Sequence, residues 1–299
     1  MLPFPIISNT DILLRPIIKG IGTADTQTNV MPFTYGLRSV IIGDLMYYIP
    51  GYNNSSYTSA GGFYTYNMVT GVISTLSSPP VVLTLPFISV LGGDIYIGSG
   101  RITTATTGTF NTTVYKYVTS TDTWSAVGTS INIGYTAGTT IGTKIYTARP
   151  NFVDIYDSTL GSTTSFSCPF NSAGVSAYTS YSYITSNGVD TLYVCGTINP
   201  TTKPVNYLYS YNINTGVWTN LNLPTDVGRV GALVYNPDDG FMYMFGANSI
   251  YAYNSGYGFI IPRTGVNPSR RDYTSFVYYN SALYMFSVND TTYKGVRYT

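Results

Sequence analysis

The chain has 299 residues, only 9% of them charged, with 14 Lys and Arg against 13 acids, all Asp, for a net charge of +1. It contains no His and no Glu, which excludes Ser-His-Asp and Cys-His dyads and an ordinary zinc or copper site. The balanced charge gives no bulk attraction for nucleic acid, and no stretch approaches the ~20 apolar residues of a membrane-crossing helix.

The first twenty residues, MLPFPIISNTDILLRPIIKG, lack the basic n-region and long apolar h-region of a signal peptide. Within them DILLRPIIKG reads as a strand with nothing nearby to pair with. From there on helical periodicity is almost absent. Short runs of Val, Ile, Tyr, Phe and Thr alternate with Gly, Asn, Asp and Pro clusters, the pattern of many short strands.

A fixed-period repeat organises these strands. Its first element is an apolar strand, a polar turn and a strand centred on tyrosine: SVIIGDLMYYIPG, SVLGGDIYIGSG, TTIGTKIYTARP, YITSNGVDTLYVCG, LVYNPDDGFMYMFG and FVYYNSALYMFS. The central tyrosines, Tyr47, Tyr96, Tyr146, Tyr193, Tyr243 and Tyr284, are spaced by 49, 50, 47, 50 and 41 residues. A second element follows each of these, FYTYN, VYKYV, VDIYD, LYSYN, IYAYN and GVRYT, and a fourth strand follows it in the first five copies.

Four antiparallel strands per ~45–50 residues make a β-propeller blade. The expectation is a single all-β domain over residues 1–299, a six-bladed propeller with blades at 36–78, 86–129, 134–168, 180–223, 229–263 and 271–299. The last blade lacks an outer strand, which residues 10–20 supply, so that no open edge remains. Tyrosines at i and i+2, as in Tyr209 and Tyr211, share one face of a strand and pack on the neighbouring blade. Trp124 and Trp218 start outermost strands, where an indole covers the blade edge while its N–H reaches a carbonyl or water. For Cys168 and Cys195 both a disulfide and two buried thiols remain open, the second being the commoner state.

Arg229, then VGALVYNPDDGFMYMFG and IYAYN, with LYSYNINTGVW as a tyrosine-to-tryptophan hairpin, resembles the kelch-repeat propellers over nearly the whole chain. The double glycine of that family is replaced by Pro50-Gly51, Gly98-Ser99-Gly100, Gly196 and Gly246, with no counterpart in blades three and six. The copper oxidase on a kelch-type propeller needs histidine ligands, and a sialidase-like tyrosine nucleophile needs a Glu; neither residue type is here. NPDDG (236–240) reads as a turn rather than a calcium loop.

In a propeller the connections between second and third strands and those between blades share one face. Arg38, Arg101, Arg149, Lys203, Arg229, Arg263, Arg270 and Arg271 are placed there, and Asp44, Asp94, Asp122, Asp157, Asp190, Asp238 and Asp239 on the other, with Lys144 as an exception. The long loops 51–62, 98–111 and 196–206 fall on the cationic side, with Tyr52 and Tyr57 as stacking candidates and sequons at Asn53, Asn54, Asn111 and Asn289, a triplet that a Thr/Ser-rich chain also produces by chance.

The functional expectation is a non-enzymatic interaction module without cofactor or metal. It is expected in a virion or on an extracellular surface, as a structural or host-attachment protein binding protein subunits, virion proteins or host surface glycans through the cationic loops. Scarcity of titratable groups suits an acidic or otherwise harsh setting. The alternatives are an intracellular kelch-like scaffold and a carbohydrate-active enzyme, which requires Asp residues converging in the central channel.

Overall fold

The computed structural model describes residues 36–52, 60–102, 109–130, 137–149, 152–169, 181–198, 205–223, 232–245, 249–256, 258–264, 275–280, 282–289 and 292–298. The first sheet runs β1 (Arg38–Ile42), β2 (Leu45–Ile49), β3 (Tyr64–Asn67), β4 (Ile73–Thr75). Next come β5 (Leu83–Thr84), β6 (Phe87–Leu91), β7 (Asp94–Gly98), β8 (Arg101–Ile102), β9 (Thr113–Val118) and β10 (Thr123–Thr129). Of these, β6, β7, β9 and β10 form the second sheet, while β5 and β8 pair separately. The third sheet is β11 (Gly138–Ile141), β12 (Lys144–Arg149), β13 (Phe152–Asp157), β14 (Ser162–Ser167). The fourth is β15 (Tyr181–Ser186), β16 (Thr191–Ile198), β17 (Val205–Asn212), β18 (Val217–Asn220). The fifth is β19 (Ala232–Asn236), β20 (Phe241–Phe245), β21 (Ser249–Asn254), β22 (Gly258–Thr264). A three-stranded sheet, β23 (Ser275–Tyr279), β24 (Ala282–Asn289), β25 (Thr292–Tyr298), follows.

The protein is therefore all-β, with five four-stranded antiparallel sheets in a propeller arrangement. The first strands of consecutive sheets are neighbours in cyclic order, and β23 lies between β19 and β1. Residues 10–20 lie outside the described residues.

Local chemistry sets the hairpins. Leu91 pairs with Asp94 across a two-residue turn in which Gly92 and Gly93 both have positive φ, 64° and 85°. That turn matches the right-handed twist of the strands it joins, and glycine occupies it without steric cost.

Because each sheet is covered on both faces, the second strands read as almost continuous apolar runs, and four of the five residues of LMYYI in β2 are buried. The cores lie between sheets. Tyr193, Cys195 and Leu208 of the fourth sheet cluster with Met242, Met244 and Tyr251 of the fifth. Likewise Met46 and Tyr48 of the first sheet cluster with Val277 of β23. Cys168 and Cys195 are both buried free thiols.

The tyrosine pattern has a repeated physical role. The central tyrosine of one sheet meets the last tyrosine of the next sheet's third strand. Ring centroids are 6.4 Å apart for Tyr47 and Tyr117, 6.2 Å for Tyr96 and Tyr156, and 6.3 Å for Tyr193 and Tyr253. The expectation for Trp124 also holds: it packs on Tyr117 and Phe63, and its Nε1 donates to the Ser77 carbonyl at 2.7 Å.

Nearer the axis, hydroxyl pairs join the first strands. Ser39 and Ser275 are 2.6 Å apart, Ser89 and Thr140 2.6 Å, and Thr139 and Ser186 2.9 Å.

One expected loop is corrected. Part of 98–111 is folded structure: Arg101–Ile102 pairs with Leu83–Thr84, and Asn111 N–H donates to the Gly100 carbonyl at 3.0 Å. The Asn111 side chain is buried and donates to the Thr113 carbonyl at 2.6 Å, so this sequon is closed to modification in the folded chain. Sequons at Asn53 and Asn54 lie outside the described residues.

Candidate functional site

The first strands β1, β6, β11, β15, β19 and β23 all begin at one end of the molecule and run toward the other. Where they begin, on the axis, is a cavity of about 90 Å³. Every first strand contributes to its wall: Arg38 and Ser39, Ile88, Gly138, Tyr183 and Ile184, Ala232 and Leu233, and Ser275. Among the described lining residues Arg38 is the single charged side chain. It opens β1, and its Nη1 reaches the Leu37 carbonyl at 3.5 Å. Ala, Gly and Ser at the strand starts leave room at the point of closest approach to the axis. The described lining contains no carboxylate, so it holds no pair of groups for general acid and base work.

Of the expected ligand-binding residues whose side chains are described, Arg38 alone lines this mouth. Three others are held by contacts within the fold. Arg101 is buried at 6% exposure, with its guanidinium 4.3 Å from the centre of the Phe110 ring. Arg149 donates to Asp154 at 2.9 and 3.2 Å and lies over the Phe152 ring at 4.0 Å. Asp154 is itself buried and accepts from Ser165 Oγ at 2.5 Å, so the pair is an internal charge-assisted bridge. Tyr52 is buried at 4% exposure. Arg263 pairs through its backbone with Ile250, and its side chain lies outside the described residues, as do Lys203, Arg229, Arg270, Arg271 and Tyr57.

The lining residues Ser39, Gly138, Tyr183 and Ser275 are absent from the sequence-based site. Their signal was position: each falls in the first three residues of a first strand.

At the opposite end, the turns between first and second strands and between third and fourth strands come together. Seven of the eight described Asp residues sit there, Asp154 being the exception. Each carboxylate is held by hydrogen bonds. Asp122 accepts from the Ser77 N–H at 2.9 Å and Tyr117 OH at 2.8 Å, which hold it below the usual carboxylate range. Thr159 lowers Asp157 in the same way, and Asn187 and Thr191 lower Asp190. Asp44 accepts from Tyr279 OH at 2.6 Å, and Asp238 from Tyr278 OH. Asp239 differs, because burial pushes its carboxyl up despite bonds from Tyr243, Phe241 and Asn236. NPDDG is thus a turn whose oxygens are engaged by its own chain. Two lysines share this end, Lys116 at 2.7 Å from Asp94 and Lys144 at 3.9 Å from Asp157.

No family model matches the chain, and no curated protein matches it. Among solved structures, the one described as "Structure of YjhT" is similar with a TM-score of 0.66, covering 89% of this chain and 93% of that one at 12% identity. At that identity the likeness is one of fold, and it agrees with the propeller arrangement. Among the described residues no helix is long and apolar enough to cross a membrane.

Proposed function

We propose that this chain is a non-enzymatic binding module, a kelch-like propeller whose axial mouth takes an acidic glycan terminus. The three-stranded sheet β23–β25 counts as its sixth blade, with residues 10–20 as the missing outer strand. The carrying observation is the mouth itself, where one guanidinium and two serine hydroxyls (Arg38, Ser39, Ser275) share the described wall with Tyr183 and aliphatic residues. A cavity of about 90 Å³ suits a single carboxylate or hydroxymethyl group rather than a whole sugar ring. Arginine meets a carboxylate through two parallel N–H bonds, and the described lining residues set no carboxylate of their own against it. A surface poor in titratable groups supports a setting in a virion or on an extracellular surface, where glycan contact becomes host attachment.

Screening the protein against arrayed neutral and acidic glycans tests the reading. Acidic glycans are expected to bind, Arg38→Ala to abolish the signal, and Arg38→Lys to weaken it. Binding indifferent to Arg38, or cleavage of the arrayed glycans, would overturn it.

A further inference from the structure

Strand geometry gives β23 two different flanks. Successive residues of a strand point to opposite faces, so Ser275, Val277 and Tyr279 share one face and Tyr278 takes the other. The first three meet the first sheet at three levels. At the axial mouth Ser275 Oγ lies 2.6 Å from Ser39 Oγ. In the middle Val277 joins Leu37, Met46, Tyr48 and Tyr66 in a buried cluster. At the far end Tyr279 OH donates to Asp44 at 2.6 Å.

On the other flank Tyr278 OH donates to Asp238 of the fifth sheet. Two adjacent tyrosines thus hold the last sheet to a carboxylate on each neighbour. Tyr117 and Tyr243 differ, since they donate to Asp122 and Asp239 within their own sheets. The ladders run inside the sheets, β23 with β24, β1 with β2 and β19 with β20, so these interfaces part without breaking a strand pair. Tyr279 faces Asp44 and, in its own sheet, Tyr284, with ring centroids 6.1 Å apart. Tyr48 and Tyr66 share the Val277 cluster on the same flank. Tyr278 faces Asp238, with Tyr243 close by and itself bonded to Asp239. Among the described residues no lysine or arginine pairs with Asp44.

We infer that Tyr278 and Tyr279 are a pH-released latch: loss of their hydroxyl protons to hydroxide sets two tyrosinates against Asp238 and Asp44, and the last sheet parts from its neighbours while the other sheets stay packed. Like charges at hydrogen-bond distance repel where a hydroxyl attracted. The bond from Tyr279 stabilises below the unfolded tyrosine value and is lost as pH rises through the folded one. Tyr279 is half-buried and is raised chiefly by its bond to Asp44. Burial pushes Tyr193, between the fourth and fifth sheets, up to about 12, so that interface keeps its proton when the latch is released. Release uncovers Met46 and Val277 and draws Ser275 away from Ser39 at the axial mouth.

Backbone hydrogen exchange of the whole protein, corrected for the intrinsic pH dependence of amide chemistry, is followed by mass spectrometry from about pH 7 to 11. Detached, a three-stranded sheet has nothing to cover its apolar faces, and its amides exchange. Peptides from β23 and β24 are expected to lose protection about tenfold or more near pH 10, while those from the third sheet stay protected. Y278F/Y279F cannot ionise there: its last sheet is less protected at pH 7, by about fivefold, and shows no alkaline step of its own. D44N/D238N keeps the acceptors without the charge, and its release moves to higher pH. Simultaneous loss of protection in all sheets, an unchanged step in Y278F/Y279F, or release of D44N/D238N at the wild-type pH would each overturn the inference. No glycan enters the measurement, so its outcome is independent of the role given to Arg38.

Discussion

Asp154 is 3% exposed and holds Arg149 through both carboxylate oxygens. Substituting Asn keeps the shape and removes the charge, leaving a partly buried guanidinium without its counter-ion. Breaking such pairs costs about 3 kcal/mol or more, so D154N is expected to lower the urea midpoint of unfolding accordingly. Trp124→Phe is milder: it keeps the ring stack and loses only the donor to Ser77, about 1 kcal/mol in the same measurement. The difference between these residues explains what sequence reasoning read at this scale. An indole after a tyrosine hairpin has one sensible use, and the structure puts it there. A loop-end arginine has two, ligand or lattice of the fold, and Arg149 is engaged in the second by its bond to Asp154. The missed signal was Asp154 inside the apolar strand FVDIYD, a position that demands a cation nearby.

Between elements, close approach governs. The strand β10 is irregular between Ala126 and Gly128, and there it lies against the third sheet. A Cβ on Gly128 would sit 2.4 Å from the Gly161 carbonyl oxygen, which is backbone and fixed by the Thr129 N–H at 3.2 Å. Gly43 has a left-handed φ of 58° but nothing within 4 Å of an added Cβ. Gly128→Ala is therefore expected to lower Tm more than Gly43→Ala, roughly 2–3 against 1 kcal/mol, because the first clashes and the second only strains. The strand pairs and turns at this scale were legible because tyrosine spacing and Gly-Asp pairs fix period and register. The β5–β8 pair was not, since two-residue strands inside a Thr-rich stretch have no periodicity. The hydroxyl pairs between first strands were hidden too, for Ser and Thr are everywhere in this chain.

For the whole molecule, pH response follows from where titrating groups sit. Hydrogen bonds lower Asp122, Asp157 and Asp190, so their stabilisation is present above the unfolded carboxylate value and lost as pH falls through their folded values. Asp239, raised by burial, works in the opposite sense and partly offsets them. Burial raises Tyr47, Tyr48, Tyr117, Tyr146, Tyr156 and Tyr243, and pushes Tyr193 up to about 12. Their stabilisation is complete below about pH 10 and disappears as pH rises through the folded values. With no His to titrate between, Tm is expected to stay nearly constant from about pH 5 to 9. It should fall below about pH 4 and above pH 10, the alkaline fall coinciding with tyrosinate absorbance near 295 nm. A Tm that drops between pH 7 and 5 would contradict this. The propeller arrangement was legible at this scale from the repeat alone, whereas the composition of the axial wall was not, because residues lining a common axis are ~50 apart in sequence.

The bond between Ser39 and Ser275 joins positions 236 residues apart. During synthesis the first sheet emerges from the ribosome with Met46 and Tyr48 facing a neighbour, Val277, that is still untranslated. At ~5–20 residues per second that surface waits on the order of ten seconds or more, as an arc of sheets with two sticky ends. Nascent chains of this protein should therefore engage chaperones until β23 arrives, and release from them should track translation of the last sheet.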